Sequence, residues 1–296
     1  MSPQSTESLH ALIAVLSNQA TPPADLASVG GGDTHQAFSL TLAGEAFFLK
    51  VNRASALAQF KAEAHSLDAL NNSSGTLTFP QAVACDCAGP LAGLLLSTLT
   101  FCTPSSDAGL GTGLALLHRN TAADFGFDRD NFIGATPQIN TPDTDWIRFY
   151  RTHRLQFQRD RACSHGLSGR VLAKVDAVIR VLPDFFTEYQ PVASLLHGDL
   201  WAGNAGMLSN GDAAVFDPAS YYGDRETDLA MTELFGGFSR DFYRAYDETW
   251  PRDDGYLRRR PLYQLYHVLN HYNLFGGHYG SQAAELCDEA MASIAR

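Results

Sequence analysis

The sequence predicts an α+β fold with two lobes, a small antiparallel β-rich lobe over residues 1–99 and a larger helical lobe over residues 100–296. Apolar residues alternate with a period of two in much of the first hundred residues, which is typical of half-buried strands. Beyond residue 100 they recur every three or four positions, as in amphipathic helices, with two short apolar runs between them. We place the junction between the lobes near Ser97–Thr103.

The first lobe is predicted to contain a helix, a hairpin, a second helix and further strands. The opening helix presents one apolar face, formed by Leu9, Leu12, Ile13 and Leu16. Alternating residues predict strands at Phe38–Leu42 and Phe47–Val51, joined by a turn at Ala43-Gly44. The second helix has its apolar face at Phe60, Ala64, Leu67 and Leu70. Further strands are expected at Phe79–Pro80, around Val83 and at Leu94–Leu96.

The second lobe is predicted to be mainly helical. Helical spacing of apolar residues occurs at Leu110–Leu117, Trp146–Phe157, Val171–Leu182, Leu262–Leu269 and Leu286–Ile294. The two apolar runs at Val192–Leu196 and Ala213–Phe216 are too short for helices and predict strands.

Composition excludes several classes of protein. Hydrophobic residues make up 45% of the chain, so a packed core is expected, and no apolar run reaches the roughly 18 residues that span a membrane. The formal net charge of −11 disfavours nucleic acid as a partner. The five cysteines fit neither a disulfide framework nor a zinc site, and the first residues lack a positively charged leader, so we expect a cytoplasmic protein.

The most informative motif is His197-Gly198-Asp199, with Asn204 five residues after the aspartate. A second aspartate, Asp217, ends the next predicted strand. Phosphoryl transfer from ATP uses such a set, because one carboxylate accepts the proton of the attacking hydroxyl while an asparagine and a second carboxylate hold Mg²⁺. The alternative is a simple turn at His197–Asp199 with Asp217 as a cap.

Two upstream features match this chemistry. Alternation places Lys50 on the opposite face of its strand from Phe47, Leu49 and Val51, and Glu63 lies in the next helix, so the two charges can pair near the phosphates. Each is also an ordinary surface charge when taken alone. Glycines allow close backbone approach to phosphates, and three of them precede the first hairpin strand: Gly30, Gly31 and Gly32. A plain flexible turn is the alternative for these glycines.

These motifs, together with further segments, resemble the fructosamine kinase (ketosamine 3-kinase) family over nearly the whole chain. The segments are Asp217-Pro218-Ala219, Tyr221-Tyr222-Gly223-Asp224-Arg225-Glu226, Asp130-Asn131-Phe132-Ile133-Gly134, Gln138-Ile139-Asn140 and Asn270-His271-Tyr272-Asn273-Leu274-Phe275-Gly276-Gly277. The family is related to aminoglycoside and choline kinases. The resemblance implies a protein-kinase-like fold and ATP-dependent phosphorylation of a sugar hydroxyl on a ketosamine, either a small molecule or a glycated protein, linked to deglycation.

The resemblance also implies residue roles. Asp199 is the catalytic base, Asn204 and Asp217 are Mg²⁺ ligands, and Lys50 with Glu63 forms the phosphate-holding pair. The adenine-binding hinge is Ser97-Thr98-Leu99. Trp201 and Asp224 are candidate substrate contacts, and His197 and Asp228 support the catalytic loop. For Trp201 core packing is the alternative, and for Asp228 a charge at a helix N-terminus. One departure is Asp33, since many relatives have cysteine there, so no thiol switch is expected in this loop.

Two other functions remain open at this point. One is a kinase for a different hydroxyl compound, such as an aminoglycoside or an amino alcohol. The other is a non-catalytic nucleotide-binding module. The oligomeric state and the preferred ketosamine are not predicted by the sequence.

Overall fold

A computed structural model of the chain describes residues 3–19, 23, 25–30, 35–103 and 106–295. Its N-terminal lobe contains a five-stranded antiparallel sheet with the order β1-β2-β3-β5-β4. The strands are β1 (Ala27–Val29), β2 (Gln36–Leu42), β3 (Glu45–Arg53), β4 (Ala82–Ala88) and β5 (Leu91–Ser97). The predicted hairpin between β2 and β3 is confirmed, and its turn residues Ala43 and Gly44 both have positive φ, as a two-residue hairpin turn requires.

Helices cover both faces of this sheet. On one face, α1 (Pro3–Ser17) packs against Leu49 and Val51 of β3, which are 0% and 3% exposed. On the other face lies α2 (Leu57–Asn71), whose Phe60 belongs to the same apolar cluster as Leu94 of β5 and the core of the second lobe. The alternation of β3 therefore directs Lys50 away from α1 and towards the second lobe, as predicted.

The second lobe is mainly helical, and the α+β prediction is confirmed. Its helices are α3 (Ala108–His118), α4 (Trp146–Phe149), α5 (Phe157–Ser164), α6 (Gly169–Arg180), α7 (Glu226–Leu234), α8 (Arg240–Thr249), α9 (Tyr256–Phe275) and α10 (Tyr279–Ile294). A π-helical segment, Tyr150–Gln156, joins α4 to α5. Because one apolar cluster extends from α2 and β5 into these helices, the division at residue 99 stays a prediction.

Short antiparallel strands hold the loops of the second lobe together. They are β6 (Phe101–Cys102), β7 (Asn131–Ile133), β8 (Thr136–Gln138), β9 (Ser194–Leu195), β10 (Ala205–Leu208), β11 (Ala213–Val215) and β12 (Tyr222–Gly223). They form three small sheets with the orders β11-β10-β6, β12-β9 and β7-β8. β6 lies within the predicted junction between the lobes and pairs with β10, which follows the loop that contains Asn204.

Several predicted elements differ from the structure. Phe79–Pro80 is not a strand, because proline has no backbone N–H and only Thr78 makes a bridge, to Ala214. The predicted strand Val192–Leu196 is reduced to Ser194–Leu195. Apolar periodicity predicted neither α7 nor α8, although Asp228 was expected to lie in a helix. The first turn of α7 buries Glu226, Thr227 and Asp228, so apolar periodicity does not mark its buried face.

Two further observations concern the whole described part of the chain. None of its helices is both long enough and apolar enough to cross a bilayer. All five cysteines are free thiols.

The packing of α3 against α8 leads to a stability prediction. A Cβ atom on Gly111 would lie 2.0 Å from the carbonyl oxygen of Phe242, which is backbone and cannot move without shifting α8. We expect Gly111→Ala to lower the free energy of unfolding by about 1–3 kcal/mol, the usual cost of overpacking. Urea denaturation followed by circular dichroism measures this.

The matched control is Gly169→Ala in α6, where a Cβ meets no atom within 4 Å. Alanine is the better helix former, so this variant is expected to be as stable as the wild type or slightly more stable. Equal stability of the two variants would contradict the close packing of α3 and α8.

Candidate active site

The loop between β9 and β10 carries the predicted catalytic motif and is held tightly against residues 216–219. The His197 ring nitrogen Nε2 lies 2.9 Å from the carbonyl oxygen of Phe216, and the Ala219 N–H donates to the carbonyl of His197 at 2.9 Å. Gly198 has φ +87°, and a Cβ there would lie 2.1 Å from the carbonyl oxygen of Ala219. Only glycine fits this position, which explains the middle residue of the motif.

The carboxylate of Asp228, in α7, hydrogen-bonds to the same loop and holds it in place. Its two carboxylate oxygens accept hydrogen bonds from the backbone N–H groups of His197 and Gly198, at 2.8 and 2.9 Å. Burial tends to raise the pKa of this carboxyl, but hydrogen bonds from His118 and Gly198 and the nearby histidines hold the pKa below its ordinary value. Asp228 therefore stays ionised inside the core, and its contacts are those of a loop support, not of an exposed helix cap.

Asn204 connects the base of the loop to the second aspartate. The side-chain Nδ2 of Asn204 donates to the backbone carbonyl of Asp199 at 3.0 Å. The backbone carbonyl of Asn204 accepts from the N–H of Phe216, also at 3.0 Å. Asp217 follows with φ +58°, a left-handed conformation that is uncommon outside glycine, asparagine and aspartate. The three residues that the sequence singled out thus lie in one contiguous group.

Lys50 joins the two lobes at this group. Its Nζ donates to Glu63 of α2 at 2.6 Å and to Asp217 at 2.5 Å, and its side chain is 8% exposed. Desolvation lowers the pKa of Lys50, but the charges of Glu63 and Asp217 outweigh it, so the net shift is upward and the ammonium stays charged. Burial also raises the pKa of Glu63, against the opposing effect of Lys50. The predicted Lys50–Glu63 pair is present.

The carboxyl group of Asp199 is poised to exchange a proton near neutral pH. Burial raises the pKa of Asp199 to about 7, and the negative charges of Asp217 and Asp228 contribute further to the rise. A general base works best when its pKa lies close to the operating pH. The electrostatics at this position therefore suit proton abstraction from a hydroxyl group.

The same group of residues is able to hold Mg²⁺. In the described part of the chain no cluster of three or more His, Cys, Asp or Glu side chains could bind a metal on its own. Asn204 and Asp217 supply two protein oxygens, and Mg²⁺ commonly takes only one or two protein ligands beside phosphate oxygens and water. The Lys50 ammonium already occupies a cation position at Asp217. The donor set therefore fits the ion.

The other nucleotide-binding predictions are only partly covered by the described residues. Gly30 follows β1, where Val29 pairs with Ala37 and Ala37 pairs with Lys50, so it adjoins the row of residues that contains Lys50. Gly31, Gly32 and Asp33 lie outside the described residues. His35, which sequence reasoning missed, lies close enough to Lys50 and Asp217 to feel their charges, and burial lowers its pKa to about 4.

One backbone group of the predicted hinge, the N–H of Ser97, already has a partner within the protein. The N–H of Ser97 donates to the carbonyl of Gln81 at 3.0 Å, and the Ser97 hydroxyl accepts from the Gln81 N–H at 2.8 Å. The N–H of Ser97 is therefore engaged within the lobe and cannot meet adenine. Thr98 and Leu99 lie just beyond β5, and the described residues provide no hydrogen-bond partner for their backbone groups.

The two predicted substrate contacts are placed differently. Trp201 is 38% exposed, and its ring lies over Gly203 in the loop that carries Asp199 and Asn204. Asp224 is fully buried and accepts hydrogen bonds from the hydroxyls of Tyr189 and Tyr263. The prediction that Asp224 contacts a substrate amine is therefore wrong, since a carboxylate enclosed by two tyrosines is not accessible to a ligand.

Sequence reasoning also missed a buried amide network behind Asp217. Asn131 donates to the carbonyl of Ser220 at 2.7 Å, Gln138 donates to that of Ala219 at 3.0 Å, and Arg154 donates to Asn140 at 2.7 Å. Asn131, Gln138 and Asn140 belong to segments that carried the family resemblance, which was the available signal. For Arg154, fully buried between the rings of Phe149 and Tyr221, there was none.

Comparison with known proteins agrees with this geometry. A family model described as fructosamine kinase matches residues 6–293. A "Probable ketoamine kinase" from Synechocystis sp. is 40% identical over 274 residues, covering 89% of each chain. The chloroplastic protein-ribulosamine 3-kinase of Arabidopsis thaliana is 38% identical over 283 residues, covering 93% of this chain and 85% of that one.

Solved structures show the same relationship. A "putative fructosamine-3-kinase" from Thermobifida fusca superposes with a TM-score of 0.85 at 30% identity, covering 96% of this chain and 99% of that one. An aminoglycoside phosphotransferase crystallised with AMP-PNP and hygromycin B superposes with a TM-score of 0.65 at 18% identity, covering 97% of this chain and 98% of that one, a likeness of fold alone. The prediction of a two-lobed, protein-kinase-like fold is confirmed, and the chain belongs to the fructosamine kinase family.

Proposed function

We propose that the protein phosphorylates a sugar hydroxyl of a ketosamine, at the 3-position, with ATP as phosphoryl donor. The observation that carries the proposal is the bridge made by Lys50, whose ammonium joins Glu63 of one lobe to Asp217 of the other beside Asp199. This arrangement combines a phosphate-binding cation, a metal-binding carboxylate and a base of suitable pKa. Relatives at 35–40% identity are named ketoamine and protein-ribulosamine 3-kinases, which supports the choice of acceptor.

Each residue has a distinct part in the proposed reaction. ATP supplies the phosphoryl group, and Asn204 and Asp217 would hold Mg²⁺, which would supply positive charge against the phosphates. Lys50 binds phosphate oxygens and is oriented by Glu63. Asp199 receives the proton of the acceptor hydroxyl, and its position is fixed by Asp228 through the backbone of His197 and Gly198. Because the transition state is loose, positioning and charge neutralisation are the main contributions of the protein.

The biological setting is proposed on the same basis. The acceptor is a ribulosamine or fructosamine adduct, free or carried by a protein, and its phosphorylation serves deglycation. A cytoplasmic location agrees with the five free thiols.

A substrate panel tests the proposed function directly. Purified protein is incubated with labelled ATP, Mg²⁺ and one acceptor at a time: ribulosyl-lysine, fructosyl-lysine, a glycated protein, an aminoglycoside or choline. Phosphate transfer to one or more ketosamines, at rates far above those for the last two acceptors, is expected. Transfer only to the aminoglycoside or choline would assign a different kinase. Thermal stabilisation by ATP and Mg²⁺ with no transfer to any acceptor would indicate a nucleotide-binding module.

Trp201 leads to a prediction about substrate binding. Its exposed ring next to the catalytic loop offers an apolar face to the sugar, so Trp201→Ala is expected to raise the KM for the ketosamine about tenfold or more and leave the KM for ATP within about twofold. Steady-state kinetics with each substrate varied in turn measures both constants.

The matched control removes an exposed apolar side chain elsewhere. Leu257 is 65% exposed at the start of α9, and Leu257→Ala is expected to change neither constant. If Trp201→Ala behaves like this control, Trp201 does not contact the substrate.

A further inference from the structure

The segment Asp224-Arg225-Glu226 contains three buried charges, and the middle one has no assigned role. Arg225 is 7% exposed, and among the described residues no carboxylate forms an ion pair with it. Its guanidinium donates instead to the Tyr246 hydroxyl at 3.0 Å and to the carbonyls of Trp250 and Pro251, at 2.9 and 2.5 Å. It also stacks over the Trp250 ring at 4.1 Å. Arg225 is therefore held firmly and directs one N–H at Tyr246.

Tyr246 connects this arginine to a buried histidine. His118, at the end of α3, is fully buried, and its Nδ1 lies 2.8 Å from the Tyr246 hydroxyl. Its Nε2 lies 3.1 Å from Oδ2 of Asp228, the residue that holds the catalytic loop. Arg225, Tyr246, His118 and Asp228 thus form one continuous chain of side-chain hydrogen bonds, which we term the buried relay.

The direction of every bond in the buried relay is determined by its two ends. An ionised carboxylate only accepts, so His118 must carry its proton on Nε2 to donate to Asp228. Burial lowers the pKa of His118, so the ring is neutral, its Nδ1 is an acceptor, and the Tyr246 hydroxyl must donate to it. The Tyr246 oxygen accepts in turn from Arg225, which only donates. Each group in the relay therefore has a fixed role as hydrogen-bond donor or acceptor, and the loss of one bond leaves the next group without its partner.

We propose that Arg225 and Tyr246, acting through His118, are positioning residues for phosphoryl transfer. The proposal rests on the proposed kinase function. His118 and the His197 N–H both donate to Oδ2 of Asp228, and Gly198 donates to Oδ1, so the carboxylate is held against rotation on both sides. The two backbone groups belong to the residues directly before Asp199. Loss of the relay frees the carboxylate, and with it the position of the catalytic base.

The relay links side chains that belong to three different helices. His118 ends α3, Asp228 lies in α7, and Tyr246 lies in α8. The alternative is that these buried polar groups only satisfy one another inside the core. That alternative predicts lower stability on substitution but no specific loss in the rate of the chemical step.

Steady-state kinetics of single variants distinguishes the positioning role from a purely structural one. Tyr246→Phe removes one hydroxyl and is expected to lower kcat about tenfold with the KM for ATP unchanged. His118→Leu is expected to lower kcat further, and His118→Gln to restore most of it, because an amide both donates and accepts. The matched control is Tyr243→Phe, in the same helix, whose hydroxyl contacts Thr232 and not the relay. It is expected to keep wild-type kcat.

A double-variant cycle tests whether the groups act in series. Once Tyr246→Phe has removed the link, adding Arg225→Met should lower kcat little further, whereas independent contributions would multiply. The ring of His118 gives a readout without substrate: ¹⁵N NMR is expected to show hydrogen on Nε2 in the wild type and, in Tyr246→Phe, a shifted Nδ1 resonance, because this acceptor has lost its donor.

The outcomes distinguish this proposal from the function on which it rests. A wild-type protein that transfers no phosphate overturns the proposed function, and the NMR measurement still tests the relay. If the wild type transfers phosphate, three results would each overturn the positioning role alone. One is an unchanged kcat in Tyr246→Phe, another is multiplicative effects in the double variant, and the third is hydrogen on Nδ1 of His118 in the wild type. If His118→Leu does not fold, Tyr246→Phe and the tautomer measurement decide the matter.

Discussion

Asp199→Asn is expected to lower kcat by about 10²-fold or more, the usual loss when a positioned general base is removed. Asparagine keeps the size and shape of the side chain but cannot accept a proton at neutral pH. The contact between Asn204 and Asp199 uses the backbone carbonyl of Asp199, so the substitution leaves it intact. The KM for ATP is therefore expected to stay within about twofold. Steady-state assays with the preferred ketosamine measure both constants.

The same carboxyl predicts the pH dependence of the wild-type enzyme. Burial, with added repulsion from Asp217 and Asp228, raises the pKa of Asp199 to about 7. The base is active only when ionised, so kcat/KM should fall as the pH drops through about 7. The residual activity of Asp199→Asn is expected to lack this acidic limb. Wild-type kcat in the variant, or an acidic limb that persists there, would remove Asp199 from the proton transfer.

A stability measurement gives an independent check on Asp199. A carboxyl whose pKa is higher in the folded state than in the unfolded chain binds its proton more tightly when folded. Stability from this group is therefore greatest at low pH and is lost as the pH rises through about 7. Asp199→Asn avoids this loss, and its melting temperature at pH 8 should exceed that of the wild type by at least about 2–4 °C, the shift expected for each 1 kcal/mol of stability. The difference should shrink at pH 5.5.

The sequence allowed prediction of those parts of the site that depend on local pattern. Alternation in β3 was enough to direct Lys50 away from α1, because side chains on a strand point to opposite faces. The spacing of Asp199, Asn204 and Asp217 was enough to bring them together, since a short hairpin separates them. Reasoning from neighbouring residues gave the wrong environment for Asp224, which is buried. Its partners Tyr189 and Tyr263 lie 35 and 39 residues away, so nothing near it in the chain indicated burial.

Buried polar groups account for most of what the sequence could not predict. The first turn of α7 buries charged and hydroxyl side chains that a hydrophobic pattern treats as exposed. Arg154 and His118 are fully buried, yet residues of these types are usually assigned to the surface. Their burial is stabilised by hydrogen-bond partners more than ten residues away, such as Asn140 and Tyr246. Hydrogen bonds between residues so far apart in the sequence can be identified only in the folded chain.

Asp217→Asn is expected to impair the use of Mg²⁺ and ATP more than the binding of ketosamine. The substitution removes one negative charge from the proposed metal site, so half-maximal activity should require at least tenfold more Mg²⁺, with a lower kcat at saturation. Asparagine tolerates the left-handed backbone that Asp217 adopts at φ +58°, so the loop conformation is expected to survive. Activity measured across a Mg²⁺ titration at fixed ATP tests this.

The matched control lies at the opposite end of the same hairpin. Asp212 is an exposed aspartate in the turn between β10 and β11, and Asp212→Asn removes an equal charge without touching the cleft. Its Mg²⁺ titration should coincide with that of the wild type. An Asp217→Asn curve that also coincides with it would exclude Asp217 as a metal ligand.

A second readout ties Asp217 to the catalytic base. The negative charge of Asp217 contributes to the raised pKa of Asp199, so its removal favours the ionised form of Asp199 and lowers that pKa. The acidic limb of the kcat/KM profile of Asp217→Asn should therefore move below pH 7, while that of Asp212→Asn stays in place. The charges of two carboxylates that lie at the same phosphate must affect each other's pKa. A loss of activity without this shift would therefore mean that Asp199 and Asp217 do not share one site.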